Sequence, residues 1–145
     1  MSITPLVPAP KLSKALRIKN KIFLKREDLH PLKSHKGRSI PIMIEHYAKQ
    51  GITDFVISSS GNAALAAALF VKKYNRENNK NLINLEIFVG EKIQNEKFKP
   101  LLKLTDKNIV LKKISNPKQT AFKKEKTENK KWLRQSTDDT ALLGY

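Results

Sequence analysis

The chain is predicted to fold as α/β, an open and mostly parallel sheet with helices on both faces in a three-layer αβα arrangement. Three observations predict it. Phe55-Val56-Ile57, Leu85-Glu86-Ile87-Phe88-Val89 and Ile109-Val110-Leu111 are short apolar runs of the kind that form strands covered on both faces. Segments of helical character separate them, and the connections are short. Such alternation places helices on both sides of a parallel sheet and ligands at the carboxyl ends of its strands.

Residues 1–35 read as an extended lead-in with short strands. Pro5, Pro8 and Pro10 interrupt any helix there, and the apolar pairs around Leu16-Arg17-Ile18 and Ile22-Phe23-Leu24 predict two short strands. Residues 36–145 read as the α/β domain. Ser34 stands where it can cap a helix, and Ile40, Met43, Ile44, Tyr47 and Ala48 recur at the spacing of an amphipathic stripe that ends at Gly51. Pro41 fits only in a first turn, so this helix is expected to start near Arg38.

The Phe55-Val56-Ile57 strand runs into Ser58-Ser59-Ser60-Gly61-Asn62 and then into Ala63–Val71, small and apolar on every face, which predicts a buried helix packed closely through alanine. Gly90 stops the next strand. Phe98, Leu101 and Leu102 mark a short helix with Pro100 near its start, and Asn116-Pro117 pairs an N-cap residue with a proline at the first helical position. The last helix is expected to reach Trp132-Leu133, with Trp132 as a packing residue on it.

At 145 residues and 16.5 kDa the chain has room for one compact domain and not for a second of full size. It has no cysteine, which excludes disulfides, thiolate zinc sites and a cysteine nucleophile. The absence of a long apolar run or signal architecture makes a soluble, cytoplasmic protein the expectation. A metal site from His30, His35 and His46 is disfavoured, since they share no helix face and no carboxylate cluster accompanies them.

The formal charge of +16 makes an anionic partner the first class to consider. It is spread as +8 over residues 1–50, +2 over 51–100 and +6 over 101–145, and lysine supplies 24 of the 29 positive charges. Lysine gives a diffuse field with little geometric specificity, which disfavours a dedicated nucleic-acid module without excluding one. The mixed-sign run Lys123–Lys131 reads as a solvated helix face.

Two junctions carry candidate chemistry. Ser34-His35-Lys36-Gly37-Arg38 and Ser58-Ser59-Ser60-Gly61-Asn62 each place small polar groups and free N–H donors at a helix N-terminus, a setting that favours phosphate and carboxylate. Beside the positive end of a helix dipole and near Arg38, the Lys36 amine should lose proton affinity, the condition for a Schiff-base lysine. Spacing alone leaves Lys36 as one surface lysine among many, and the serine-glycine loop as a plain cap.

Taken together, Lys25-Arg26-Glu27-Asp28-Leu29-His30-Pro31, then Ser34-His35-Lys36-Gly37-Arg38, then a strand leading into Ser59-Ser60-Gly61-Asn62 resembles the fold-type II pyridoxal-phosphate enzymes. These include tryptophan synthase β, threonine synthase, threonine dehydratase and cysteine synthase. The resemblance covers the N-terminal part of a family member, which is normally more than twice as long. It implies that Lys36 binds pyridoxal 5'-phosphate through a Schiff base and moves the proton at the substrate Cα. It implies that Asn62 hydrogen-bonds the cofactor's phenolic oxygen, and that Ser59, Ser60 and the amides of Gly61, Asn62 and Ala63 hold the carboxylate of an amino-acid substrate.

Three positions depart from the family pattern. Lys33 stands where a small residue, commonly glycine, precedes the motif serine, Gly37 where an acidic residue is frequent, and Leu32 where a hydroxyl is frequent. The five glycines never cluster into the family's phosphate-binding loop. The apolar end Ala141-Leu142-Leu143-Gly144-Tyr145 adds to the expectation of a truncated or split enzyme, inactive alone and completed by a missing C-terminal half or a homodimer partner. A basic nucleic-acid-binding module and a non-catalytic relative that binds the cofactor are the competing readings.

Overall fold

The computed structural model of the chain describes residues 3–145. An antiparallel ribbon opens it, β1 (Leu6–Pro8) pairing with β2 (Phe23–Lys25) so that Val7 faces Leu24. Between them lies a helix, α1 (Pro10–Ala15), with Pro10 at its first position. The strand expected at Leu16-Arg17-Ile18 does not form. Leu16 caps α1, Arg17 takes a φ of 53°, and the Ile18 N–H bonds back to Ser13 O, all of which turn the chain toward β2.

The next helix, α2 (Lys36–Lys49), begins two residues before the expected start, so Pro41 falls in its second turn. The lost hydrogen bond is tolerated because Ile40, Met43 and Ile44 are fully buried around it. Gly51, at a φ of 86°, ends the helix in the left-handed conformation that glycine adopts freely.

Four parallel strands follow: β3 (Asp54–Ser58), β4 (Asn84–Gly90), β5 (Ile109–Ile114) and β6 (Lys131–Trp132). Their spatial order is β5-β4-β3-β6. The helices between them are α3 (Asn62–Glu77), α4 (Asn95–Leu102) and α5 (Pro117–Thr127). Pro100 lies in the second turn of α4 and not near its start. Trp132 is a packing residue, 8% exposed, but it lies on a strand: α5 stops at Thr127, and Asn129 turns the chain at a φ of 50° into β6.

In-register pairing puts Phe55 and Ile57 of β3 beside Leu85 and Ile87 of β4, and these side chains pack against α2 and α3. Val56, Phe88 and Trp132 project to the opposite face, under Ala121 of α5. Glu86 shares that opposite face by alternation. It meets Lys112 at 2.9 Å, Lys124 at 3.6 Å and Lys130. The run Lys123–Lys131 is therefore not wholly a solvated face, since Lys124, Lys130 and Lys131 turn inward onto Glu86, Glu128, Glu125 and Asp138. Burial alone would raise the Glu86 carboxyl, but the hydrogen bonds from Lys130 and Lys112 outweigh it and hold the group down at about 2.

A closing 3₁₀ segment, Asp139–Gly144, lies across the start of α2. Gly144 permits this contact, because a Cβ there would come 2.5 Å from Arg38 O and Ser39 Cα. The Ser39 hydroxyl bonds to Tyr145 Oη at 3.2 Å and receives the Gln135 amide. No helix among the described residues is long and apolar enough to cross a membrane.

Candidate functional site

The polar segment before α2 is held by two ion pairs. Arg26 binds Asp28 at 2.6 Å on the surface. Arg38 forks onto Glu27, Nε at 2.9 Å and Nη2 at 2.7 Å, and Glu27 also accepts the Thr4 hydroxyl at 2.5 Å. The Arg38 hydrogen bond, followed by that from Thr4, holds the Glu27 carboxyl at about 2. Arg38 is thus committed to tying the lead-in to α2.

The turn that follows accounts for one departure from the family pattern and shows the cost of another. Lys33 takes a φ of 68°, a conformation that glycine adopts at least cost. Gly37 is buried, and a Cβ there would collide with the His30 ring and with Leu32 Cβ. An acidic side chain has no room at this position. Ser34, 5% exposed, accepts the Lys36 N–H on its hydroxyl at 3.3 Å, from one residue ahead of the N-cap His35.

At the carboxyl end of β3 the chain leaves the sheet through Ser59 and Ser60 and starts α3 from Gly61. No side chain caps α3, so the first-turn N–H groups are left for solvent or a ligand. The Gly61 N–H donates to Ser59 Oγ at 3.3 Å. A Cβ on Gly61 would meet nothing within 4 Å, so this side of the loop is open.

The chain fills β3, β4 and β5 in succession and then crosses to the far side of β3 for β6. That reversal opens a crevice between β3 and β6, the usual place for a ligand in an open α/β sheet. A cavity of about 270 Å³ lies there, and Lys36, Ser59 and Ala63 line it together with Lys118, Gln135 and Ser136. A second hollow, about 630 Å³, spreads over the ends of β3, β4 and β5 and takes in Ser59, Ser60 and Gly61 with Asn116 and Lys118. Asn116 starts α5 without a side-chain cap, which leaves a second set of helix N–H groups beside this hollow.

Five of the six predicted site residues therefore border these two spaces, which share Ser58, Ser59 and Lys118 in their walls, and Lys36 borders the smaller one. Asn62 borders neither: it is exposed and lines a cleft of about 150 Å³ against α4. Lys118, Gln135 and Ser136 were not foreseen. The first arrives at the N-terminus of α5 and the other two just beyond β6, a strand the sequence did not announce. His30 is buried, His46 bonds Gln50, and no group of three metal-ligating side chains occurs among the described residues.

A lysine and an uncapped helix at the switch point of a parallel sheet give this α/β protein an amine and free N–H donors at its strand ends, the chemistry that suits a small anionic ligand. The donor set suits a phosphorylated aldehyde: an amine to condense with the carbonyl, and N–H and hydroxyl donors for negative charge. The profile of the family described as pyridoxal-phosphate dependent enzyme matches residues 1–145, and the chain belongs to that family.

The chain is 31% identical over 70 residues to a threonine synthase from Synechocystis, covering 48% of this chain and 18% of that protein. It is 41% identical over 71 residues to a biosynthetic L-threonine dehydratase from Pasteurella multocida, covering 48% and 14%. Among solved structures, a pyridoxal 5'-phosphate-dependent aspartate racemase superposes with a TM-score of 0.81 at 20% identity over 99% of this chain and 43% of that one. Threonine deaminase isoform 2 from Solanum lycopersicum gives 0.77 at 21% identity, over 99% and 38%. The chain thus spans about two fifths of the length of these structures and matches part of their fold.

Proposed function

We propose that the chain is the lysine-bearing part of a pyridoxal 5'-phosphate-dependent enzyme of amino-acid metabolism, a lyase type carrying out elimination, replacement or deamination. One observation carries the reading: Lys36 shares the switch-point cavity with Ser59 and Ala63. The threonine synthase and dehydratase names of its relatives favour a small amino acid as substrate. When bound, the cofactor supplies an electron sink for the carbanion at the substrate Cα.

The chain's own residues have separable tasks in this reading. The Lys36 amine would hold the cofactor and would take the Cα proton of the substrate. The Ser59 and Ser60 hydroxyls and the amides of Gly61, Asn62 and Ala63 bind the substrate carboxylate, favoured by the positive end of α3. The family motif assigns Asn62 the phenolic oxygen; here Asn62 lines the cleft against α4 and borders neither space beside Lys36. These groups form one wall of the site. A phosphate-binding loop and the opposite wall come from a further segment or a second chain, so these 145 residues alone turn over no substrate.

The test is chemical mapping. The protein is incubated with limiting pyridoxal 5'-phosphate, reduced with borohydride and digested for mass analysis. The proposal expects the label mainly on Lys36. Label scattered among the 24 lysines in proportion to exposure would contradict it.

A further inference from the structure

We propose that His30 is a positioning residue for Lys36: its ring, packed on the bare Cα of Gly37 and accepting the Leu32 N–H, fixes the turn from which Lys36 enters the cavity. The inference rests on Lys36 being the reactive amine. His30 is 6% exposed. Its Nδ1 receives the Leu32 N–H at 3.1 Å, and its carbonyl receives the Lys33 N–H at 2.7 Å. The two bonds close the turn around Lys33, whose positive φ gives it little tendency to hold that shape unaided. Four residues on, Gly37 sits against the same ring with no space for a side chain. One imidazole therefore touches both sides of the loop, before and after Lys36.

The arrangement needs the ring neutral, with its proton on Nε2. A protonated ring carries a donor on Nδ1, which would face the Leu32 N–H and break the bond. Burial and then the positive charge of Arg38 on α2 hold the ring below the usual histidine range, opposed by Glu27. Glu27 is held at about 2 and stays ionised throughout the range in which His30 titrates. His35 is exposed on the same loop.

The test reads Lys36 without any cofactor. The full chain is trace-acetylated with limiting acetic anhydride between pH 5 and 8, and the ratio of label on Lys36 to label on exposed Lys123 is measured by mass analysis. A Lys36 whose surroundings do not respond to His30 gives the same ratio profile in the wild type and in His30→Asn. The proposal expects a step in the ratio below pH 6.5 in the wild type and in His35→Asn. It expects His30→Phe, which keeps a ring without the acceptor, to change the ratio at pH 7.5 by about fivefold, the factor one ordinary hydrogen bond contributes. His30→Asn, which keeps an acceptor near Nδ1, should hold the ratio at pH 7.5 and abolish the step. A level ratio in the wild type, or equal effects of His30→Asn and His30→Phe, would overturn the assignment. Because no cofactor is present, failure here is distinct from failure of the borohydride mapping.

Discussion

The two faces of the four-stranded sheet are built by different means. The face toward α2, α3 and α4 joins a single apolar cluster of nineteen buried residues, including alanines 64, 66, 67 and 68, which let α3 approach closely. The face toward α5 has four, Val56, Phe88, Ala121 and Trp132, and Ala121 is the one buried residue of its helix. What completes that second face is charge, Glu86 among Lys112, Lys124 and Lys130. The apolar face fixes α2 and α3, and so fixes the two loops that carry Lys36 and Ser59. The charged face holds α5 and the approach to β6, which bring Lys118, Gln135 and Ser136 to the same crevice.

Deleting a large side chain on each face gives the widest separation. Phe55→Ala should cost about 3–5 kcal/mol, the range for a fully enclosed aromatic. Phe88→Ala should cost about 1 kcal/mol less than Phe55→Ala, because its thinner cover can collapse into the space. Urea unfolding midpoints would show the difference, and equal shifts would remove the distinction between the faces.

A smaller effect is expected at the ion cluster. Glu86→Gln should cost about 1–3 kcal/mol at pH 7, since it leaves the inward lysines without their carboxylate. The sign with pH follows from a folded value of about 2 against an ordinary 4.5. The pairing stabilises fully above pH 4.5 and is lost as pH falls through 2. Thermal melts of wild type and Glu86→Gln should therefore converge in acid; a constant gap from pH 7 to pH 2 would show that Glu86 acts through packing.

The smallest effect separates two lysines of one run. Lys123→Ala, at an exposed site, should change stability by no more than about 0.5 kcal/mol. Lys130→Ala should cost more, about 1 kcal/mol, because Lys130 bonds both Glu86 and Glu128. Equal values would restore the picture of a uniformly solvated helix face.

The parts of the fold legible in the sequence are those with a local signature. Phe55-Val56-Ile57, Leu85–Val89 and the alanine-rich α3 carry their own hydrophobic pattern, and the two motifs located Lys36 and Ser59 before any geometry. Strand β6 is two residues long and exists because Leu133 N–H reaches Val56 O at 2.9 Å, a contact that only tertiary packing supplies. Helix α1 is six residues, too short to display a period, and the inward turn of Lys124 and Lys130 depends on a carboxylate some forty residues earlier. Lys118 was hidden for the same reason: the N-terminus of α5 meets the Lys36 cavity only because the chain crosses back over the sheet.

The central claim is that Lys36 is the amine the crevice exists to present. The most direct measurement is a visible absorbance titration with pyridoxal 5'-phosphate, run on the wild-type chain beside Lys36→Ala, whose fold is checked by its circular dichroism. The account predicts a saturable band in the wild type that the variant lacks. The same band, with the same saturation, in both proteins would contradict it.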